Sequence, residues 1–311
     1  MPSWFSDFEI KNKVIRVKST GVELPLNGEI IWEALSWLPF FFTERTRRLG
    51  SVFSRRKRLK IAYSPVVPRP WYLLPVLANR ARMKRTGDFA RADAVFYFED
   101  QTVVEPPQVP AGSKKAFNFG CHDISKSKVG EVFKQVFGYD LAVDPRTYKG
   151  KIAVKSEING AHDGYAAIAP LPPEHPYNPK LVYQRLIDNT VDDKWAEDMR
   201  CPITGGDIDI IFVKRRPLKS RFANLNSSVT LQSPDELLST EERANIKKFA
   251  AAMGLDWGGM DILRNKEDGK IYIVDVNKTD MGPPIALSMK DKSKATAILT
   301  KQLLKLIQDG D

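Results

Sequence analysis

Apolar positions along this chain come in short alternating runs and in longer stretches with helical spacing, and their order predicts an α/β protein. Residues 59–63, 94–98 and 115–119 read as three short strands, with a helix expected over 75–85. Strands interleaved with helical segments predict a parallel sheet. Over 125–137, Val129, Val132, Phe133 and Val136 fall on one helical face, and Gly138 stands where such a helix would end. Strands follow at 151–155 and 181–187, separated in part by a polar loop at 159–164. A hairpin is expected with arms 198–203 and 208–216, turning through Thr204, Gly205, Gly206 and Asp207. Ser239 with Glu242 forms a capping-box pair, opening a helix that runs to Met253 and stops at Gly254. Two final strands, 260–263 and 271–276, precede an amphipathic helix starting near Lys292.

Residues 1–58 read as an extension. Its most apolar part, 30–42, carries Trp32, Trp37, Phe40, Phe41 and Phe42, but Glu33 and Pro39 interrupt it and it is too short to span a bilayer. A basic run follows: Arg45, Arg47, Arg48, Arg55, Arg56, Lys57 and Arg58. Aromatic bulk beside arginines suits an interfacial helix at an anionic membrane surface through residues 30–58. A helix packed on the main domain with a solvated basic tail is the plainer alternative. The start of the chain, through Lys13, has no continuous apolar core, so no cleavable signal is expected.

Composition narrows the classes. With 311 residues, 42% of them hydrophobic, the chain can build two domains or one large bilobal one. Its net charge of +10 favours acidic partners such as nucleotides, phosphorylated glycans or an anionic membrane, and nucleic acid is not the expected one. The two cysteines, Cys121 and Cys201, make no CxxC pair, which fits a reducing compartment. The expected location is cytoplasmic, with a peripheral position at the inner membrane face left open. Three scattered histidines support no nucleophilic triad, and no P-loop motif occurs.

The most informative chemistry lies on the last two strands. Side chains alternate along a strand, so Asp275 and Asn277 share one face while Val274 and Val276 take the other. If 260–263 and 271–276 pair antiparallel, Asp261 lies beside them. Two carboxylates and a carboxamide then make an oxygen-only site suited to Mg²⁺ held jointly with phosphate oxygens. A carboxylate closing an otherwise apolar strand would be costly to bury without such a partner. Among the cations, Arg200, Lys214, Arg215, Arg216 and Arg221 suit a phosphoryl or carboxylate group, with Lys214 and Arg216 on one strand face and Arg215 on the other. A solvated basic edge is the alternative for Arg215 and Arg216.

In this arrangement residues 121–284 resemble the ATP-grasp superfamily, which carries an acidic residue on one strand and Glu/Asp-x-Asn on the next. Asp261, Asp275 and Asn277 match those three metal-holding positions. The resemblance implies ATP and Mg²⁺ as cofactors. It also implies a phosphate-binding lysine at Lys155, a second at Lys126 or Lys128, and a mobile loop over 159–164. Further, it implies a hinge strand, Tyr183, Gln184, Arg185, Leu186 and Ile187, that meets adenine through backbone groups, with Asp188 near the ribose. Asp198-Met199-Arg200 is similar to the family's Asp-x-Arg. Arg200 is expected to stabilise the transferred phosphoryl group, with Arg216 as a further catalytic cation and His162 as a proton carrier on the loop. Three features depart from the family pattern: the loop has only Gly160 and Gly164, Gly259 stands where many relatives have arginine, and 278–284 differ from the usual path after Asn277.

The implied architecture is a two-lobed ATP-grasp-like core of α+β lobes, 121–185 and 186–311, behind a small pre-grasp α/β domain, 59–120, and the 1–58 extension. The implied activity is a Mg·ATP-dependent ligase that activates a carboxylate as an acyl phosphate for attack by an amine or other nucleophile. The acceptor would be an acidic small molecule, a glycan or a peptide. A kinase on the same fold, acting on a hydroxyl, and a non-enzymatic anion- or membrane-binding protein are the two alternatives left open.

Overall fold

The computed structural model describes residues 8–18, 23–47, 58–161, 163–221 and 227–309. His162, and the basic residues Arg48, Arg55, Arg56 and Lys57, lie outside them. The chain divides into two compact units, the first holding the described residues through Gln101, Pro106–Phe119 and those from Lys278, the second holding Thr102–Glu105 and Gly120–Asn277.

The first unit begins with a small antiparallel sheet, β1 (Phe8–Lys11), β2 (Val14–Val17) and β3 (Glu23–Pro25), followed by helix α1 (Gly28–Arg47). Then β4 (Lys60–Pro65), α2 (Leu73–Arg80), β5 (Lys84–Arg85), β6 (Ala94–Phe98) and β7 (Ala116–Phe117) build a parallel sheet of order β5-β4-β6-β7. Every residue of β6 is buried, as the unbroken apolar run of an inner parallel strand requires. The helix expected over 75–85 is shorter, because Arg82 takes a left-handed conformation (φ 59°). Arg82 N donates to Asn79 O and Met83 N to Ala78 O, closing the helix with the bond pattern usually built on glycine. The freed chain then pairs as β5 with β4.

The C-terminal helix, Met289–Gln308, packs on α2 and α1 through a face that includes Ala295, Leu299, Leu303 and Ile307. It therefore groups with the first unit, whereas the sequence reading assigned 186–311 to a single lobe.

The second unit holds helix α3 (Lys126–Phe137), then β8 (Gly150–Ser156), β9 (Tyr165–Ala169) and β10 (Leu181–Arg185), an antiparallel sheet with β8 in the centre. Strands β11 (Trp195–Thr204), β12 (Ile211–Pro217) and β13 (Ser228–Gln232) follow, then the single turn α4 (Pro234–Leu237), α5 (Thr240–Ala252), β14 (Trp257–Arg264) and β15 (Ile271–Asn277). The five strands form one antiparallel sheet, β13-β12-β11-β14-β15. Both halves of the predicted capping box are made: Ser239 N donates to Glu242 Oε2 (2.8 Å) and Glu242 N to Ser239 Oγ (3.1 Å). At the other end of α5, Gly254 (φ 64°) closes the helix, and any side chain there would collide with the backbone of Gly120. Val129 and Phe133 of α3 and Ile246 and Phe249 of α5 cover one face of the sheet, meeting Met199, Cys201, Val213, Met260, Ile262 and Val276. Cys121 and Cys201 are buried free thiols.

Candidate active site

Where α3 and α5 cover it, one face of the five-stranded sheet is apolar, so the residues that alternate with Met199, Cys201, Val213, Met260 and Val276 share the other face. The register specifies which ones meet. Asp261 pairs with Asp275 and Gly259 with Asn277 across β14 and β15. Arg200 pairs with Asp261 across β11 and β14, and Asp198 with Lys214 across β11 and β12. Directly opposed residues carry their side chains on the same face, so these groups form one polar row across four strands. The expected antiparallel pairing beside Asp261 is thus observed.

A β-bulge sharpens the row. The register shifts after Asp261, so that Ile262 pairs with Ile273. Strict alternation would turn Ile273 to the polar face with Asp275; the extra residue returns it to the core, and Ile271 to Val274 are all buried. Beyond it, the β14 backbone runs so close to β15 that a side chain on Gly258 would collide with the carbonyl oxygen of Asn277. Gly258→Ala should therefore displace the Asn277 end of β15 and lower stability by about 1–3 kcal/mol, read by thermal unfolding of the purified variant.

Charge along the row is uneven. Asp261 accepts from Arg200 Nη1 (3.1 Å) and Lys214 Nζ (3.0 Å). Burial would raise its pKa, but the two cations outweigh that and hold the carboxyl well below the usual carboxylate range. Asp198 meets Arg216 Nη2 at 2.9 Å and accepts from Asn189 Nδ2 (2.8 Å). Its burial dominates and pushes its pKa up, with Arg216 opposing. Asp275 is pushed up as well, by burial first and by the negative Asp261 second, while Lys126, Arg200 and Lys155 pull the other way. Its Oδ1 is buried and accepts no hydrogen bond among the described residues. Lys155, whose pKa burial lowers against the pull of Asp275, donates to Gln184 Oε1 (3.3 Å). Gln184 Nε2 and Ser156 Oγ are two further buried polar atoms that lack a hydrogen bond among the described residues. Such atoms are few in a folded protein, and each calls for a partner such as a ligand, an ion or a water.

The predicted residues separate into two groups. Lys126, Lys155, Gln184, Arg200, Asp261 and Asp275 are linked by the bonds and charge couplings just described, and Asn277 joins them by register. Of the two lysines at the start of α3, Lys126 is buried and donates to Ile158 O (2.8 Å), while Lys128 pairs with Glu131 at the surface. Arg216 lies on the same row but is held by Asp198.

Arg185 points away from the row, as alternation after Gln184 demands. It donates to the Tyr272 hydroxyl (2.7 Å), lies over that ring at 5.2 Å, and faces Asp268 at 3.7 Å. With Tyr139, Tyr148, Asp144 and Lys270 it lines a cavity of about 450 Å³ that contains none of the row's side chains. Leu186 is half-buried and its backbone N–H donates to Lys151 O. The Asp188 carboxylate accepts from Thr190 N (3.1 Å), so it shapes the turn before β11.

Lys214 is the residue that sequence reasoning undervalued. It stood among several phosphate-suited cations, but its pairing with Asp198 and its bond to Asp261 place it inside the row. Its two-residue spacing from Arg216 within the predicted hairpin was the available signal. Arg221, which donates to Asn189 Oδ1 (2.6 Å) and Ile187 O (2.8 Å), supports the residue that holds Asp198.

Among the described residues no three or more His, Cys, Asp or Glu converge as a metal centre would need. A cation here would rest on two carboxylates and the Asn277 amide oxygen, with phosphate oxygens completing its shell, a donor set that suits Mg²⁺. The unbonded Oδ1 of Asp275 fits that role directly, and Asp261 fits it with lone pairs left over from Arg200 and Lys214.

No family model and no curated protein matches the sequence. Solved structures do match. One is of the ATP-grasp ligase PsnB complexed with a phosphomimetic variant of its minimal precursor, Mg and ADP, at 12% identity over 81% of this chain and 99% of that one, with a TM-score of 0.52. Another, of the same ligase complexed with its minimal precursor, matches at 12% identity over 81% of this chain and 100% of that one, with a TM-score of 0.51.

Proposed function

This chain has the ATP-grasp fold, and on that premise we propose that it is a Mg·ATP-dependent ligase that activates a carboxylate for attack by a nucleophile. The observation that carries the proposal is the buried, unbonded Oδ1 of Asp275, set among Lys126, Lys155 and Arg200. A buried carboxylate oxygen that accepts no hydrogen bond among the described residues, coupled electrostatically to three cations able to neutralise phosphate, suits a divalent ion bound together with a triphosphate. The PsnB structure holds Mg and ADP together with a precursor, which supports the same cofactors here, and the net charge of +10 favours an acidic acceptor, whether a small molecule, a glycan or a peptide.

Each side chain then has a task. Asp275, Asn277 and Asp261 hold Mg²⁺, which with bound ATP supplies the Lewis acid and the phosphoryl group. Lys155 and Lys126 neutralise phosphate oxygens as point charges. Gln184 orients the Lys155 ammonium, and the hinge backbone around Leu186 receives the base. Arg200 spans Asp261 and the place where negative charge grows during transfer. Lys214 keeps Asp261 ionised and aimed, and Arg216, braced by Asp198, offers a guanidinium to the acceptor carboxylate.

Lys155→Ala should weaken Mg·ATP binding about 10- to 150-fold, the equivalent of about 1.5–3 kcal/mol for a charge-assisted bond, as read by calorimetry. The activity itself is tested by screening ATP consumption against acidic metabolites, glycans and peptides, with mass analysis of the products. A ligase forms an amide or ester and releases ADP and free phosphate. Phosphate retained on the acceptor would replace this reading with a kinase, and ATP consumption that no acceptor stimulates would contradict both.

A further inference from the structure

We propose that helix α1 is a membrane-docking element that lays this protein on an anionic lipid surface. The proposal is independent of the ligase reading. One face of α1 is anchored: Phe40 is buried, and Glu44 is buried and bonded to Arg80 of α2 (2.6 Å). The opposite face is apolar and open to solvent. Ile31, Leu35, Leu38 and Phe42 recur at helical spacing and are 49%, 52%, 41% and 56% exposed, with Trp32 beside them at 72%. Single exposed apolar residues are ordinary, but a continuous stripe along three turns of one helix marks an interaction surface.

Charge selects the occupant. From 45 to 58 the sequence carries Arg45, Arg47, Arg48, Arg55, Arg56, Lys57 and Arg58 and no acidic residue. A stripe of tryptophan, leucine and phenylalanine followed directly by such a run combines the two contributions that hold a protein at an interface: apolar insertion to headgroup depth and attraction to anionic headgroups. Tryptophan suits that depth because its ring is apolar and its N–H remains near water. Among the described residues no helix is long and apolar enough to cross a membrane; in the proposed orientation α1 lies along the surface, its exposed stripe towards the lipid.

The test uses the full chain with vesicles of pure phosphatidylcholine and of equimolar phosphatidylcholine and phosphatidylglycerol. Wild type should sediment with the anionic vesicles at least about tenfold more strongly than with the neutral ones, and raised salt should weaken that binding. The double variant Trp32→Glu/Leu38→Glu, at two exposed positions, should lose vesicle binding by at least about tenfold, with an unchanged circular dichroism spectrum and unchanged thermal unfolding. A Trp32→Ala/Phe42→Ala variant should lose it in part, which supplies a second reading should the charged pair disturb the helix. Equal binding to both vesicle types, or none to either, would overturn the proposal. So would a wild-type dimer that ignores vesicles and falls apart in the double variant, since the stripe would then be covered by a second copy.

Discussion

Replacing Asp275 with asparagine should cut Mg·ATP-dependent turnover by about a thousandfold or more, while the ligand-free protein stays as stable as wild type or becomes more so. The catalytic half of this expectation follows from losing a ligand charge at the proposed metal site, where electrostatic stabilisation of transfer would be concentrated. The stability half follows from the carboxylate's surroundings. Burial, and then the negative Asp261, raise the Asp275 pKa above its ordinary value. A carboxyl whose folded pKa exceeds its unfolded one favours the fold only while protonated, so the ligand-free protein loses stability as pH rises from the ordinary carboxylate range through the raised value. Asparagine is never charged and removes that slope. Thermal unfolding of both proteins against pH, without nucleotide or metal, checks the sign. A variant clearly less stable than wild type at neutral pH would mean that Asp275 serves the fold.

Arg200→Ala should lower kcat by about 100- to 1,000-fold, with a much smaller change in Mg·ATP affinity. Arg200 is buried and bonds Asp261 through Nη1, and its planar, permanently charged guanidinium suits negative charge that grows during transfer. Asp261 keeps its bond to Lys214 when Arg200 is removed, so the Asp261 end of the row survives. Arg200→Lys retains the charge without the planar fork and should recover only part of the loss. Steady-state kinetics separate the roles: a raised KM with kcat unchanged would make Arg200 a ground-state binding residue only.

Much of the site was legible in the chain. The alternation that set Asp275 and Asn277 against Val274 and Val276 holds, and so does the antiparallel partner carrying Asp261. These are local consequences of strand geometry. The helix ends at Gly138 and Gly254 were legible because glycine is the usual residue at a left-handed closing position, and both glycines take it. Arg82 takes the same conformation with no sequence signal, which is why α2 was drawn too long and β5 missed. The edge strands β9 and β13 were missed too, since only pairing with β8 and β12 makes them strands. Lys126 and Lys128 differ by a helical rotation that sequence could not orient; burial of one and the Glu131 partner of the other decide it. The bulge after Asp261 and the outward turn of Arg185 likewise depend on neighbours distant in sequence. Departures thus lie where tertiary contact outweighs local preference.

The most direct measurement is calorimetric titration of a non-hydrolysable ATP analogue into wild type and Asp275→Asn, each with Mg²⁺ and with a chelator. Three oxygen donors, one in the middle of β14 and two at the end of β15, holding the ion beneath the phosphates predict one site per chain in wild type with Mg²⁺, and binding that collapses both in chelator and in the variant. Equal affinity in all four titrations would contradict that assignment.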